Sequence, residues 1–345
     1  MKTLKIWIVA AFLVGLSACA PRSLVVITHD SFAISESIIK QFEEENQIKV
    51  TFLMSGDAGS MLNRAILTKK APEADVIYGF DNAFLSRALE EDILEVYDSP
   101  KLADIPDEFK LDKTQRALPV DYGDVCINYD KSYFEQHALA IPGSLEELTN
   151  TQYAGLLVVE NPATSSPGLA FLLATIAEYG EDGYLDYWKR LNANGMLMVN
   201  DWNSAYYTHF SGSSGRGAYP MVVSYASSPV AEVEVIFAEQ PLAEAPTASI
   251  TAGNACFRQI EFVGIVKGGR NVELAQKFVD WMLSKQFQED IPLQMFVFPV
   301  NSSAILPEVF SLHAQIPQQP AQLDFAEIAE KRDRWVASLR GVLLP

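Results

Sequence analysis

The sequence lacks the short motifs that define several large classes of enzyme. It contains no Gly-x-Ser-x-Gly, His-Glu-x-x-His or Cys-x-x-Cys segment, and its Gly/Ser run at 211–217 lacks the Lys-Ser/Thr ending of a phosphate-binding loop. It has only 4 histidines, and no two of them are spaced as a ligand pair on one helix face. These absences argue against the hydrolases, zinc enzymes and dithiol oxidoreductases that such motifs define. We therefore expect no catalysis, no metal and no cofactor.

Long apolar runs are also scarce. The run at 6–16 follows Lys2 and Lys5 and is too short to span a bilayer, and no later run is long enough. It is followed by Leu16-Ser-Ala-Cys19, which resembles the processing box of a bacterial lipoprotein. The sequence thus predicts a signal peptide at 1–18 and a lipid-anchored linker at 19–23 that begins with Cys19. The alternative is ordinary cleavage nearby, with Cys19 an incidental thiol; both interpretations place the protein outside the cytoplasm.

The chain has few basic residues relative to acidic ones. The chain has 26 Lys and Arg against 44 Asp and Glu, a formal net charge of −18, which becomes −20 once Lys2 and Lys5 are removed. Such a chain repels nucleic acid and gains nothing from an anionic lipid surface. The charge suits a cationic or zwitterionic small ligand, and we expect contact with the membrane through the N-terminal lipid only.

What the sequence does contain is alternating strands and helices. Short strands are predicted at 24–27, 48–54 and 75–79, and each is followed by a segment with helical periodicity. A second series of the same kind begins at Ser144, with helices predicted at 145–150, 169–179 and 184–191, and a short strand is predicted at 296–300. Alternation of this kind predicts parallel sheets covered by helices. The mature chain is long enough for two lobes.

Two extended segments, 117–129 and 256–267, are candidates for strands that cross between such lobes. The first is broken by the polar sequence Asp121-Tyr122-Gly123-Asp124, so it could equally be two strands joined by a turn. Cys126 and Cys256 lie in these two segments. An oxidising compartment permits a disulfide between them, and two buried thiols are the alternative.

The segment 196–231 contains two predicted strands that end at large aromatic residues. Trp202 follows one strand and Tyr225 ends the next, each just before a predicted helix. Open α/β sheets bind their ligands where strand ends meet helix starts. Asp57 and Ser165 stand at similar junctions elsewhere, in loops rich in small residues. The alternative is that the aromatic residues pack in a core and the polar residues only cap helices.

The sequence also resembles a known family along nearly the whole mature chain. The matching segments are His29-Asp-Ser-Phe32, Ser60-Met-Leu-Asn-Arg64, Ala74-Asp-Val76, Gly79-Phe-Asp-Asn82, Val120-Asp-Tyr-Gly123, Asn161-Pro, Thr164-Ser165, Pro167-Gly-Leu169, Trp202, Ser204-Ala-Tyr206, Ser224-Tyr225, Ser228-Pro229 and Phe298-Pro-Val300. They resemble the extracytoplasmic thiamine-binding proteins of ABC importers. The resemblance implies a two-lobed periplasmic-binding-protein-like (type II) α/β fold, in which each lobe is a mostly parallel sheet flanked by helices and two crossovers form the hinge. The predicted lobes are 24–120 with 262–300 (lobe 1) and 121–261 with 301–345 (lobe 2).

The resemblance also implies a function and a site. The protein would be a monomer that binds thiamine or thiamine phosphates and delivers them to ABC permease subunits. The predicted ligand-binding residues are Trp202, Tyr225, Asp57, Ala58, Ser165, His29, Asp121, Tyr122 and Phe296. Three positions depart from the family pattern, because His29 and Ala231 replace tyrosines and Phe296 replaces a tryptophan. With fewer aromatic residues around it, the ligand could be thiamine, its phosphate esters, its pyrimidine precursor or another cation. One alternative function is a polyamine or ferric-ion receptor of the same fold. Another is an exported hydrolase that uses Ser165 or His29.

Overall fold

The computed structural model of the protein describes residues 22–214, 217–236 and 242–343. The predicted signal peptide and Cys19 lie outside these ranges. Within them, no helix combines the length and the apolar character needed to cross a bilayer.

The described residues form alternating strands and helices in each lobe, as predicted, together with further short elements that the sequence pattern does not predict. The strands are β1 (Arg22–Thr28), β2 (Ile48–Met54), β3 (Val76–Asp81), β4 (Leu118–Asp130), β5 (Leu157–Glu160), β6 (Leu197–Val199), β7 (Met221–Tyr225), β8 (Thr247–Ile250), β9 (Phe257–Ile265) and β10 (Phe298–Pro299). The helices are α1 (Glu36–Asn46), α2 (Ala58–Leu67), α3 (Leu85–Glu90), α4 (Lys131–Gln136), α5 (Ser166–Ala193), α6 (Ser211–Ser214), α7 (Ser228–Ala231), α8 (Val272–Met282), α9 (Lys285–Met295), α10 (Glu308–His313) and α11 (Phe325–Leu343). Short 3₁₀ turns occupy Pro100–Asp104, Asp107–Phe109, Glu146–Thr149 and Thr151–Tyr153, and π-helical turns occupy Ser204–His209 and Glu232–Ile236.

The strands are arranged as two parallel groups joined through two long antiparallel strands. The order is β2-β1-β3-β9-β4-β7-β5-β6. β1 pairs in parallel with β2 and β3 in lobe 1, and β5 pairs in parallel with β6 and β7 in lobe 2. β4 and β9 pair with each other. β9 also pairs with β3 of lobe 1, and β4 also pairs with β7 of lobe 2; all three pairings are antiparallel. The short buried strands are apolar because helices cover both faces of each parallel group.

The two central strands are the predicted crossovers. The segment around Asp121 is one continuous strand, with a register shift between Pro119 and Asp121, rather than two strands and a turn. The predicted lobe boundaries, 120/121 and 261/262, fall inside β4 and β9. Cys126 in β4 and Cys256, directly before β9, form a disulfide with a Cα–Cα separation of 4.2 Å. The crosslink therefore joins the two strands that connect the lobes.

Some sequence-based expectations about elements were wrong. The helix predicted at 145–150 is only a 3₁₀ turn at Glu146–Thr149. The two helices predicted at 169–179 and 184–191 are confirmed, because both lie within α5 on either side of a kink where Gly180 has a φ of 69°. The strand predicted to begin at Phe296 begins at Phe298, because Phe296 ends α9 in a left-handed conformation with a φ of 57°.

The last helix, α11, packs against α5 of lobe 2 and against α3 of lobe 1. Its Arg332 guanidinium lies over the Phe84 ring, 4.5 Å from the centroid. On the other side, the Tyr184 hydroxyl of α5 donates a hydrogen bond to the Trp335 carbonyl at 3.4 Å. One helix therefore touches both lobes.

Candidate functional site

A cleft between the lobes is the candidate site. It encloses about 750 Å³, counting the part that is open to solvent. The carboxyl ends of β1, β2, β6 and β7 lead directly into it, as expected for a ligand site in an open α/β sheet. Its walls comprise His29, Ser31, Asp57, Ser166, Pro167, Trp202, Tyr206, Tyr207, Tyr225, Ser228, Ala231, Glu261, Gln294, Met295, Phe296 and Val297.

Trp202 forms an aromatic wall that is fixed from several sides. Its ring stacks on Tyr206 with centroids 4.9 Å apart and an interplanar angle of 17°. Its indole nitrogen donates to the Ser224 hydroxyl at 2.9 Å. The helical turn behind it is capped by Asp201, which accepts from the Ser204 amide at 2.7 Å. Trp202 is half-buried in this arrangement, so it needs little reordering to receive a flat ligand.

Tyr225 contributes a second ring at the end of β7. It lies against Gly123 of β4, where a Cβ atom would come within 2.7 Å of Tyr225 Cδ1. Only glycine allows this close approach. The Tyr225 hydroxyl accepts from Gln259 Nε2 at 2.9 Å. Burial, with smaller effects from Glu261, Asp57 and Asp81, raises the pKa of Tyr225 well above its ordinary value, so the phenol stays neutral.

Two carboxyl groups face the aromatic rings. Asp57 caps α2 by accepting from the Ala58 amide at 2.9 Å, and its other oxygen accepts from the Trp202 amide at 3.3 Å. Burial raises the pKa of Asp57, against opposing effects of the Ala58 amide and of the Ser165 hydroxyl, which lies near it without hydrogen-bond geometry. Glu261 comes from the middle of β9. Both groups can place negative charge beside a bound cation.

His29 lies beside Glu261, with 3.6 Å between Nε2 and the nearer carboxylate oxygen. Burial alone would lower the pKa of His29, but Glu261 opposes it, and the pKa is raised. Behind Glu261, Asp121 occupies the facing position on β4 and accepts from the Tyr78 hydroxyl at 2.5 Å. Burial and the charge of Glu261 raise the pKa of Asp121 well above its ordinary value. Burial and the neighbouring acid thus both oppose ionisation of Asp121.

Several buried polar atoms have no hydrogen-bond partner among the described residues, and three of them, on His29, Ser166 and Glu261, belong to residues that line the cleft. The full set is Thr28 Oγ1, His29 Nε2, Asp81 Oδ2, Asp121 Oδ1, both Glu160 carboxylate oxygens, Ser165 Oγ, Ser166 Oγ, Gln259 Oε1, Glu261 Oε2, Arg332 Nε and Trp335 Nε1. An unpaired buried polar group costs about 1–3 kcal/mol. A fold bears this cost most often at a binding site.

The structure brings together five of the nine predicted ligand-binding residues. The cleft is lined by His29, Asp57, Trp202, Tyr225 and Phe296, whereas Ala58, Ser165, Asp121 and Tyr122 are not among the lining residues. Ala58, Ser165 and Asp121 are buried. Tyr122 stacks between Phe109 and Phe298 with the Arg258 guanidinium over its ring. The role of all nine as ligand contacts stays a prediction.

Sequence reasoning missed two groups that line the cleft. Glu261 stands in the middle of a strand that is otherwise mostly apolar (FRQIEFVGI), and an acid in such a position signals a buried functional group. Tyr206 and Tyr207 lie in the helical turn after Trp202, where Tyr206 supports the tryptophan ring and Tyr207 meets it edge-on. The four-residue spacing between Trp202 and Tyr206 is a signal that could have found Tyr206, since residues four apart on a helix are neighbours.

Two α/β lobes that enclose a cleft at their strand ends, joined by paired crossover strands, define a two-lobed binding protein. Residues 71–331 match the bacterial extracellular solute-binding protein family, and the chain belongs to that family. The predicted fold and the predicted class of protein are confirmed by this match and by the similarity to solved type II binding proteins.

Several relatives are similar over nearly their full length. The thiamine-binding periplasmic protein of Salmonella typhimurium is 28% identical over 339 residues, which cover 97% of each chain. The thiamine-binding periplasmic protein of Brucella suis is 29% identical, over 93% of this chain and 92% of that one. Among solved structures, a periplasmic thiamin binding protein has a TM-score of 0.81 at 26% identity and covers 94% and 96% of the two chains. Iron-bound HitA from Pseudomonas aeruginosa, at 19% identity and a TM-score of 0.74 over 92% and 99%, shares the fold alone.

Proposed function

We propose that this protein captures thiamine between its lobes and delivers it to the membrane subunits of an ABC importer. The observation that carries the proposal is the lining of the cleft, which contains both Trp202 and Tyr225 and the two acids Asp57 and Glu261. None of the described lining residues is Lys or Arg. Aromatic faces and carboxylates together suit a flat, positively charged ligand. Thiamine, an aminopyrimidine joined to a thiazolium, has that chemistry.

The aromatic rings can supply only part of the free energy of binding that the proposed function needs. A cation over an aromatic face is stabilised by about 0.5–2 kcal/mol. Nanomolar affinity needs about 12 kcal/mol. Stacking on Trp202 and Tyr225 therefore supplies only part of the affinity. The remainder must come from enclosing the ligand and from hydrogen bonds to the unpartnered polar atoms around the cleft.

The relatives support thiamine as the ligand, since the similar proteins of Salmonella typhimurium and Brucella suis are named for binding it. We also infer that the protein is exported, that it carries a lipid anchor on Cys19, and that it acts as a monomer with an ABC permease. Membership in an extracellular family supports export. Ser165, the candidate nucleophile of a hydrolase, has no hydrogen-bond partner among the described residues and does not line the cleft, which disfavours the enzymatic alternative.

Titration calorimetry with a ligand panel tests the proposal. The panel contains thiamine, its mono- and diphosphate, its aminopyrimidine half, spermidine and ferric citrate. We expect one thiamine per chain with submicromolar affinity and no heat of binding from spermidine or iron. Tight binding of spermidine or iron without any response to the thiamine compounds would overturn the thiamine assignment and leave only the solute-binding class.

A further inference from the structure

The start of α2 in lobe 1 contacts lobe 2 directly at the edge of the cleft. The Gly59 amide donates to the Thr164 carbonyl at 3.1 Å. Thr164 lies in the loop that leads into α5, and this loop is held in shape by its own hydrogen bonds, including Thr164 N to the Asn161 carbonyl at 3.1 Å. A backbone hydrogen bond therefore joins the two lobes in this arrangement.

Gly59 determines how near the lobes come at this point. A Cβ atom on Gly59 would lie 2.9 Å from the Thr164 carbonyl oxygen and 3.0 Å from that of Ala163. Both atoms belong to the main chain, so neither can rotate away as a side chain would. Gly59 is buried but does not line the cleft. Its effect on a bound ligand is therefore indirect.

Asp57 makes a second link two residues earlier. One carboxylate oxygen caps α2, and the other accepts from the Trp202 amide of lobe 2 at 3.3 Å. The same carboxylate is thus fixed in lobe 1 and attached to the residue that forms the aromatic wall. The two links lie on the same side of the cleft and act in the same closed arrangement.

We propose that Gly59 and Asp57 are positioning residues that latch the lobes together and hold Trp202 against the ligand. The inference rests on the proposed capture of a ligand by closure, and it adds that affinity depends on a glycine that the ligand never touches. Binding is weakened as full closure is lost, because the fully closed state holds the ligand most tightly and a variant that cannot reach it binds the ligand in a partly open state.

The decisive variant is Gly59→Ala, with Gly341→Ala as the matched control. Gly341 also lies in a helix, but a Cβ atom there would meet nothing within 4 Å. Titration calorimetry with thiamine should show affinity weakened by about tenfold or more for Gly59→Ala, since the closed population falls, and unchanged for Gly341→Ala. Small-angle X-ray scattering of the thiamine-saturated proteins should show a larger radius of gyration for Gly59→Ala only.

Trp202→Ala separates the latch from loss of a direct contact. It should also weaken binding, but at saturating thiamine it should scatter as a compact, closed protein. A Gly59→Ala protein that binds thiamine as tightly as the wild type and closes to the same radius would overturn the latch.

A second variant guards against misfolding, because the new Cβ atom would also lie 2.9 Å from Phe84 Cζ within lobe 1. Phe84→Leu combined with Gly59→Ala removes that contact and leaves both carbonyl oxygens in place. The double variant should close more poorly than Phe84→Leu alone, which loses the Arg332 contact with α11 in the same way and is therefore its reference. A double variant with wild-type affinity and radius would contradict the proposal.

Hydrogen exchange of the ligand-free proteins makes the outcome independent of the thiamine assignment. If the wild type binds no thiamine, the proposed function fails, and hydrogen exchange alone then tests whether Gly59 and Asp57 hold the lobes together. The amide of Trp202 should then exchange faster in Gly59→Ala than in the wild type, since its hydrogen bond to Asp57 forms only on closure. Equal exchange in the two proteins would refute the latch.

Discussion

Trp202 is the residue on which recognition depends most. It is held by Tyr206, Ser224 and Asp57, so its ring is already placed when the ligand arrives. We expect Trp202→Ala to weaken thiamine binding by more than about tenfold, since a stacked cation and its buried rings lose more than about 1.4 kcal/mol. Titration calorimetry measures this, with Trp281→Phe, outside the cleft, as the control. An unchanged affinity would remove this site.

Glu232 predicts a pH dependence of stability. It is buried behind Tyr206, and the hydroxyls of Tyr206 and Thr247 donate to its two carboxyl oxygens. Burial raises the pKa of Glu232 from 4.5 to about 7, although both hydroxyls oppose the rise. The folded protein therefore binds this proton more tightly than the unfolded chain. The contribution of Glu232 to the free energy of unfolding is greatest below pH 4.5 and is lost as the pH rises through 7.

Glu232→Gln tests this pH dependence. Glutamine stays neutral, so the decrease in the free energy of unfolding from about pH 5 to about pH 8 should be smaller in the variant, by up to about 3 kcal/mol. Urea unfolding at the two pH values measures it. Glu234→Gln, in the same helical turn but exposed, is the matched control and should behave as the wild type. Equal pH dependence in Glu232→Gln and the wild type would contradict the assignment.

At the scale of elements, the disulfide fastens β4 to the start of β9. It closes a loop with a sequence separation of 130 residues. Replacing both Cys126 and Cys256 by Ser should lower the free energy of unfolding by about 2–4 kcal/mol, since a crosslink restricts the unfolded chain. Urea unfolding with and without reductant measures this; reductant should weaken the wild type and leave the variant unchanged. Two free thiols at these positions in the denatured, unreduced protein would disprove the crosslink.

The elements also show what could be predicted from the sequence and why. The βα alternation in each lobe and both crossover strands follow from apolar periodicity, which local packing obeys. Phe296 could not be predicted in this way, because an apolar run gives no sign that one member takes a left-handed backbone to end a helix. Trp202 and Tyr225 were found because they stand at strand ends. Glu261 was not, because nothing in its neighbours shows that β9 passes through the floor of a cleft.

At the scale of the molecule, net charge bears on how fast a ligand arrives. The full chain carries a formal charge of −18, and two of the acids counted in it, Asp57 and Glu261, line the cleft. An acidic surface attracts a cation over roughly a Debye length, about 10 Å at 0.1 M salt. The association rate constant of thiamine should therefore decrease severalfold between about 10 mM and about 500 mM NaCl, as stopped-flow mixing would show. The uncharged aminopyrimidine half should show no such decrease, and an equal decrease for both compounds would contradict the electrostatic account.

The position of Trp202 gives the molecule a built-in optical signal. Of the four tryptophans in the described part of the chain, Trp188, Trp281 and Trp335 are buried in the core, whereas Trp202 is half-buried and lines the cleft. A ring that stacks on Trp202 would quench its emission and leave the other three indoles almost unaffected. Binding could therefore be followed by intrinsic fluorescence without any label, and the protein could serve as a ready-made sensor for its own ligand.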